Sequence, residues 1–224
     1  MNTKKVSHDS SPMETTDLLF AGESPEAARI LQSARLHLFK YGYQALTMDE
    51  LAHELGISKK TLYVHFPGKD VIIGKIITAI GTTMRARMDT VLADSERSFA
   101  GKLAAFVEVA GSIFTTVNPT TLRDLQRFAP PLYQQIEEIR QVNIPYIFGR
   151  LIRDGIAEGK VRGDVDPAFA AEFWLHALRG LVQPATLERT QRTLRQTLHE
   201  ALDLFFCGLL TPAGRKDYEK HRPS

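Results

Sequence analysis

One cysteine, Cys207, stands among 224 residues. It leaves no partner for an internal disulfide and too few thiols for a multi-cysteine zinc site. Flanked by Phe206 and Leu209, it reads as a packed core thiol before it reads as a redox sensor. No apolar run reaches the roughly 18 residues a membrane span needs. The opening stretch has Lys4 and Lys5 but no long apolar core, so a secretory signal is not expected there. Neither sign of charge dominates: 28 Lys and Arg face 26 Asp and Glu, for a net +2. Any affinity for a polyanion must come from a local patch. No Walker loop and no G-x-G-x-x-G motif is present, and no His pair has the H-E-x-x-H spacing of a metalloprotease. His37 and His53 read as surface residues of helices. An enzyme, a cofactor and a metal site are therefore not expected.

What is present concentrates between Thr47 and Asp70, TMDELAHELGISKKTLYVHFPGKD. Thr47 and Glu50 have the T-x-x-E spacing of a capping box, which satisfies amides left open at a helix start. Leu51, Ala52 and Leu55 share a helix face. Gly56 can take the left-handed conformation that ends a helix, and Ile57 can plug the turn. Ser58 suits the N-cap of a second helix, whose Leu62 and Phe66 face inward at i, i+4. Lys59, Lys60, Thr61, Tyr63 and His65 fall on the other faces, and Pro67 reads as the start of the next helix. From Gly56 to Lys69 the charges are Lys59, Lys60 and Lys69, without an acid. Two short helices, a tight turn and a basic, acid-free second helix are the layout of a helix-turn-helix reader of DNA. A lysine-decorated solvent face would explain the charges alone, but not the cap, the turn glycine and the proline together.

Upstream, Ser24, Pro25 and Glu26 form a helix start, Leu31, Ala34 and Leu38 an inward stripe with Phe39 beside it, and Gly42 a stop. With these, residues 27–75 resemble the DNA-binding domain of the TetR family of transcriptional regulators. The resemblance rests on Phe39, Gly42, Thr47, Leu51-Ala52, Gly56-Ile57-Ser58, Leu62-Tyr63-Val64-His65-Phe66 and Lys69-Asp70. It implies that Ser58, Lys59, Lys60 and Thr61 front the recognition helix, with Lys60 and Thr61 at base edges. It implies that Thr47, Tyr63, His65 and Lys69 grip phosphates.

The rest reads as helices, giving an all-α chain. Residues 1–22 are expected to be a disordered tail, 24–70 the DNA-binding domain, 71–212 a helical regulatory and dimerisation domain, and 213–224 a second tail. A long helix from Pro67 to about Leu92 links the two domains. Further helices are expected over 98–117, 120–128 and 132–158, the last kinked or broken near Gln141 by Pro145. Asp166 and Pro167 open the penultimate helix, and the last runs from about Glu188 to Leu210.

Those last two helices are apolar over more than one side, which calls for a partner beyond the chain's own core. The resemblance implies that they build a homodimer. Ala170, Phe173, Ala177, Leu181, Leu194, Leu198, Ala201 and Phe205 are the interface candidates. It also implies a pocket for a small effector. Phe106, Phe114, Phe128, Tyr133, Tyr146, Phe148, Trp174 and His176 are the candidates, each also explicable as plain core. With few charges among them, the ligand is expected to be hydrophobic or aromatic. The expectation is a cytoplasmic repressor that holds a pseudo-palindromic double-stranded operator as a dimer and releases it on binding its ligand, with no membrane partner. An activator, or an architectural or occlusion factor without a ligand, remains the alternative.

Overall fold

The computed structural model describes residues 19–114 and 120–221, without the side chains of 110–114 and 221. Among the described residues there are eleven helices. α1 (Pro25–Tyr41), α2 (Met48–Leu55) and α3 (Lys59–His65) form an N-terminal trio, followed by the long α4 (Lys69–Ala93). α5 (Phe99–Phe114), α6 (Thr120–Phe128), α7 (Pro130–Ala157) and α8 (Pro167–Leu181) come next. α9 (Pro184–Thr190), α10 (Leu194–Leu209) and α11 (Pro212–His221) close the chain. None is long and apolar enough to cross a membrane.

Local chemistry sets many of these limits. Ser24 caps α1 by accepting from the Ala27 amide at 3.3 Å, and Asp166 caps α8 by accepting from Ala168 and Phe169. α4 starts at Lys69, two residues later than Pro67 suggested, with Gly68 as an N-cap that brings no side chain. At about 1.5 Å per residue its 25 residues span about 37 Å. Pro145 sits inside α7, which continues through it to Ala157, so the helix is not broken there. Packing of α7 against α4 and α8 holds the segment together despite the missing hydrogen bond to Gln141.

Other expectations are corrected. The single last helix is two: Gln191 takes a left-handed conformation (φ 53°), and Thr193 then caps α10 with a complete capping box to Gln196. Leu187 and Leu194 keep helical spacing across that break, so apolar periodicity alone cannot reveal it. Beyond Thr211 the chain is helix rather than tail, held by Tyr218, which is buried and donates to Asp203 at 2.5 Å. Phe20, expected in the N-terminal tail, is buried in the first core. Lys4 and Lys5 lie outside the described residues. Cys207 is exposed, because α10 turns the adjacent Phe206 inward and the thiol outward.

The buried apolar side chains form two clusters. The first gathers α1–α3, the start of α4, and Leu125, Ala129 and Leu132 from α6 and α7. This answers how so small a trio is stabilised: three short helices bury little alone, and the regulatory helices complete their core. The second cluster is centred on Phe148, whose ring lies 5.0 Å from Phe106, 5.2 Å from Trp174 and 6.0 Å from Phe205 and Phe206. Such ring pairs contribute about 0.5–1.5 kcal/mol each beyond burial.

Candidate nucleic-acid interface

The reading element is fixed from within. Leu51, Ala52, Leu62 and Phe66 are buried beneath α2 and α3. At the turn, Gly56 is left-handed (φ 67°), and the Ile57 amide reaches back to the Ala52 carbonyl at 3.0 Å. Thr47 Oγ1 accepts from the Glu50 amide at 3.1 Å and donates to the Glu50 carboxylate at 2.9 Å. Ser58 Oγ accepts from the Thr61 amide at 3.0 Å and shares a proton with Thr61 Oγ1 at 2.8 Å. These short-range bonds place α3 with one face in the core and the other in water.

On that outer face Lys59, Lys60, Thr61, Tyr63 and Val64 are exposed, and His65 is half-buried. Two tertiary contacts change the charge pattern from its linear form. Lys59 Nζ pairs with Asp49 Oδ2 at 2.6 Å, both side chains being well exposed. Asp49 thus brings an acid to a helix whose own stretch has none. Lys60 has no carboxylate partner among the described residues, and is the free cation of the recognition helix there. Lys69 is half-buried. Its ammonium lies 3.9 Å from the centre of the Tyr43 ring and donates to the Tyr43 carbonyl at 3.2 Å. The Tyr43 hydroxyl donates to Asp70 at 3.0 Å. Burial, then the Asp70 carboxylate, pushes the Tyr43 phenol up to about 12, so it stays a neutral donor. One of the three Lys69 N–H groups is used inside the protein, and two remain for a phosphate.

Tyr43 and Asp49 were not legible as site residues. Their partners lie 26 and 10 residues away, beyond any single-helix periodicity.

Two mutational outcomes follow. Asp49→Ala frees Lys59 and removes a charge that repels phosphate, so DNA affinity should rise about two- to fivefold at low salt, with the gain shrinking as salt is added. Titrations at two ionic strengths check it; a fall in affinity would mean that Asp49 serves to position Lys59. Lys69→Ala should weaken binding to all sequences alike and lower the salt slope by about 0.9 for each phosphate that is no longer neutralised. An unchanged slope refutes the phosphate role.

A cavity of about 200 Å³ lies further inside. Phe106, Phe148 and Trp174 line it, together with aliphatic side chains from α1, α4, α6, α7, α8 and α10. Phe128 and His176 point to solvent. Tyr133 accepts a hydrogen bond from Gln183, and Tyr146 donates to Asp89 beneath the Arg85 guanidinium, so neither lines the cavity. The Phe114 side chain lies outside the described residues. Of the interface candidates, Phe173 is 56% exposed, Ala177 and Leu181 are half-buried, and Ala170, Leu194, Ala201 and Phe205 are buried in the chain's own core. Leu194 and Leu198 line the cavity. The outward face of α8 carries Phe169 and Phe173, and that of α10 carries Leu204, exposed at 71%, 56% and 79%.

Residues 30–76 match the family model described as bacterial regulatory proteins, tetR family. The chain is 26% identical over 160 residues to the uncharacterized HTH-type transcriptional regulator YhgD of Bacillus subtilis (strain 168), a match covering 68% of this chain and 80% of that protein. Its fold is similar to that of a transcriptional regulator from Cytophaga hutchinsonii (TM-score 0.63, 20% identity, 84% of this chain and 100% of that one). A TetR transcriptional regulator from Legionella pneumophila is likewise similar (TM-score 0.64, 16% identity, 84% and 98%).

Proposed function

We propose that this chain, a DNA-binding transcriptional regulator of the TetR family and not an enzyme, is a homodimeric repressor released from its operator by a small apolar ligand. The observation that carries the reading is the enclosed apolar cavity in the same chain as the DNA-reading helix. A ligand-independent occlusion factor has no use for such a space, and a well-packed core would have closed it. An engineered apolar cavity of about 150 Å³ is enough to admit benzene, so about 200 Å³ suits a one- or two-ring compound or a short alkyl chain.

The dimer is supported by the outward faces of α8 and α10. Phe169, Phe173, His176 and Gly180 follow i, i+4, i+7 and i+11 spacing and are all exposed. Leu204 and Gly208 extend that surface on the neighbouring α10. Joining two copies there would bury the aromatic rings and leave both α3 helices free. A two-fold dimer reads two half-sites, which makes the operator a pseudo-palindrome. Ser58, Lys59, Lys60 and Thr61 meet the bases, while Thr47, Tyr63, His65 and Lys69 meet phosphates. Such a protein works in the cytoplasm, at the nucleoid. Selection of bound sequences from random DNA, followed by the same binding with a library of small hydrophobic compounds, tests the whole reading. An operator that no compound releases would leave the occlusion factor standing.

A further inference from the structure

The cavity lies where the two cores meet. Its wall takes Leu38, Phe39 and Ile76 from the first cluster, and Ile147, Phe148 and Trp174 from the second. Leu38 and Phe39 belong to α1, a helix of the DNA-reading domain itself. Beside them α6 is fastened to the same helix. Thr121 Oγ1 donates to the Leu38 carbonyl at 3.2 Å in a buried bond. Where α1 ends, Gly42 (φ +88°) approaches α6 so closely that a Cβ would stand 3.3 Å from both Thr120 and Asp124.

We infer that the effector seats between the two cores, takes part of its binding site from the DNA-reading domain, and is a neutral, hydrocarbon-rich molecule. This rests on the effector reading above. Neutrality follows from the polar groups on the wall. Among the described residues these are Thr121, Arg140 and Asn143. Thr121 is bonded to Leu38. Arg140 is paired with Glu137 at 2.6 Å, and that carboxylate also lies 2.7 Å from Arg179. Asn143 donates to the Gly81 carbonyl at 3.0 Å and accepts from Arg85 at 3.4 Å. A charged ligand would shed its hydration and find these partners already engaged. A hydrocarbon loses nothing by that.

The placement also states how binding is felt. With the cavity empty, apolar packing between α1 and the Phe148 cluster is incomplete, and the reading domain can shift about the joint. A ligand touching Phe39 on one side and Phe148 on the other unites the two cores and holds one orientation of α1. It changes operator affinity to the extent that it binds that orientation better than the DNA-bound one.

Naphthalene and its anionic counterpart 1-naphthoate test the inference on the full-length protein. Naphthalene should bind and slow amide exchange in peptides from the end of α1 as well as in those from α7 and α8. Phe39→Leu, which trims the α1 wall, should weaken naphthalene at least threefold while the protein remains folded by circular dichroism. 1-Naphthoate should bind at least tenfold more weakly than naphthalene. Protection confined to α7, α8 and α10, together with an unaltered affinity in Phe39→Leu, overturns the seat between the cores and leaves the effector reading intact. Equal or tighter 1-naphthoate overturns neutrality. No binding of either compound removes the effector reading and this inference with it.

Discussion

Phe173→Glu combined with Leu204→Glu is expected to lower operator affinity by a factor of about 10² to 10⁴. Both side chains stand in water in the single chain, at 56% and 79% exposure, so charging them removes nothing that the subunit's fold depends on. The effect comes from the pairing of subunits. A carboxylate carried into an apolar helix–helix interface costs several kcal/mol unless it is paired. Each copy would bring two. Once subunits separate, the second half-site no longer benefits from the millimolar effective concentration that linkage provides, and the avidity of two joined readers disappears. Sedimentation should then show the 25.1 kDa chain alone, with helix content unchanged. Retained tight binding by a variant that sediments as that single chain would overturn the two-fold reading of the operator. A variant that stays dimeric would move the interface away from α8 and α10.

Lys60→Ala carries the second large effect. Lys60 is exposed at the front of α3 and, unlike Lys59, has no carboxylate beside it among the described residues. A side chain reading a base edge is worth about 1–3 kcal/mol, and a two-fold dimer reads each such edge twice. Operator affinity should fall by about 30-fold at the least. The preference at the base pair that Lys60 meets should relax, while affinity for random DNA falls much less. Competition binding with operators varied at each position separates the possibilities. A uniform decrease across all sequences, with a shallower salt slope, would place Lys60 on a phosphate and leave Thr61 as the base reader.

The contrast between these two lysines explains what could be read from the chain and what could not. Caps and turns were legible because their chemistry is local. Ser24, Thr47, Ser58 and Asp166 each bond an amide two or three residues on, and the identity of the residue is most of the signal. Leu62 and Phe66 were legible because i, i+4 spacing on a short helix leaves one inward face. Contacts across the fold were not. Asp49 reaches Lys59 from another helix, and Lys69 is steered by Tyr43. In α10 the run Leu204-Phe205-Phe206-Cys207 is apolar on every side, so its pattern cannot say which residue faces out. Leu204 and Cys207 do, while Phe205 and Phe206 are buried. The aromatic candidates divide for the same reason. Phe106, Phe148 and Trp174 reach the cavity, whereas Phe128 has the same chemistry on a helix face turned to water.

The shared wall at Leu38 and Phe39, with the Thr121 bond to the Leu38 carbonyl, bears on how such a regulator can diversify. If reader and sensor met only end to end along α4, a new promoter preference could be acquired by grafting another DNA-binding head onto the same body. Here the head carries part of the inner lining. A transplant that ends before α4 would exchange two side chains of the joint and unfasten α6. Only recombinants that inherit α1, α4 and α6 from one parent keep the lining whole, so specificity for sequence can drift freely on the outer face of α3 while the inner face of α1 stays tied to the chemistry of whatever fills the joint.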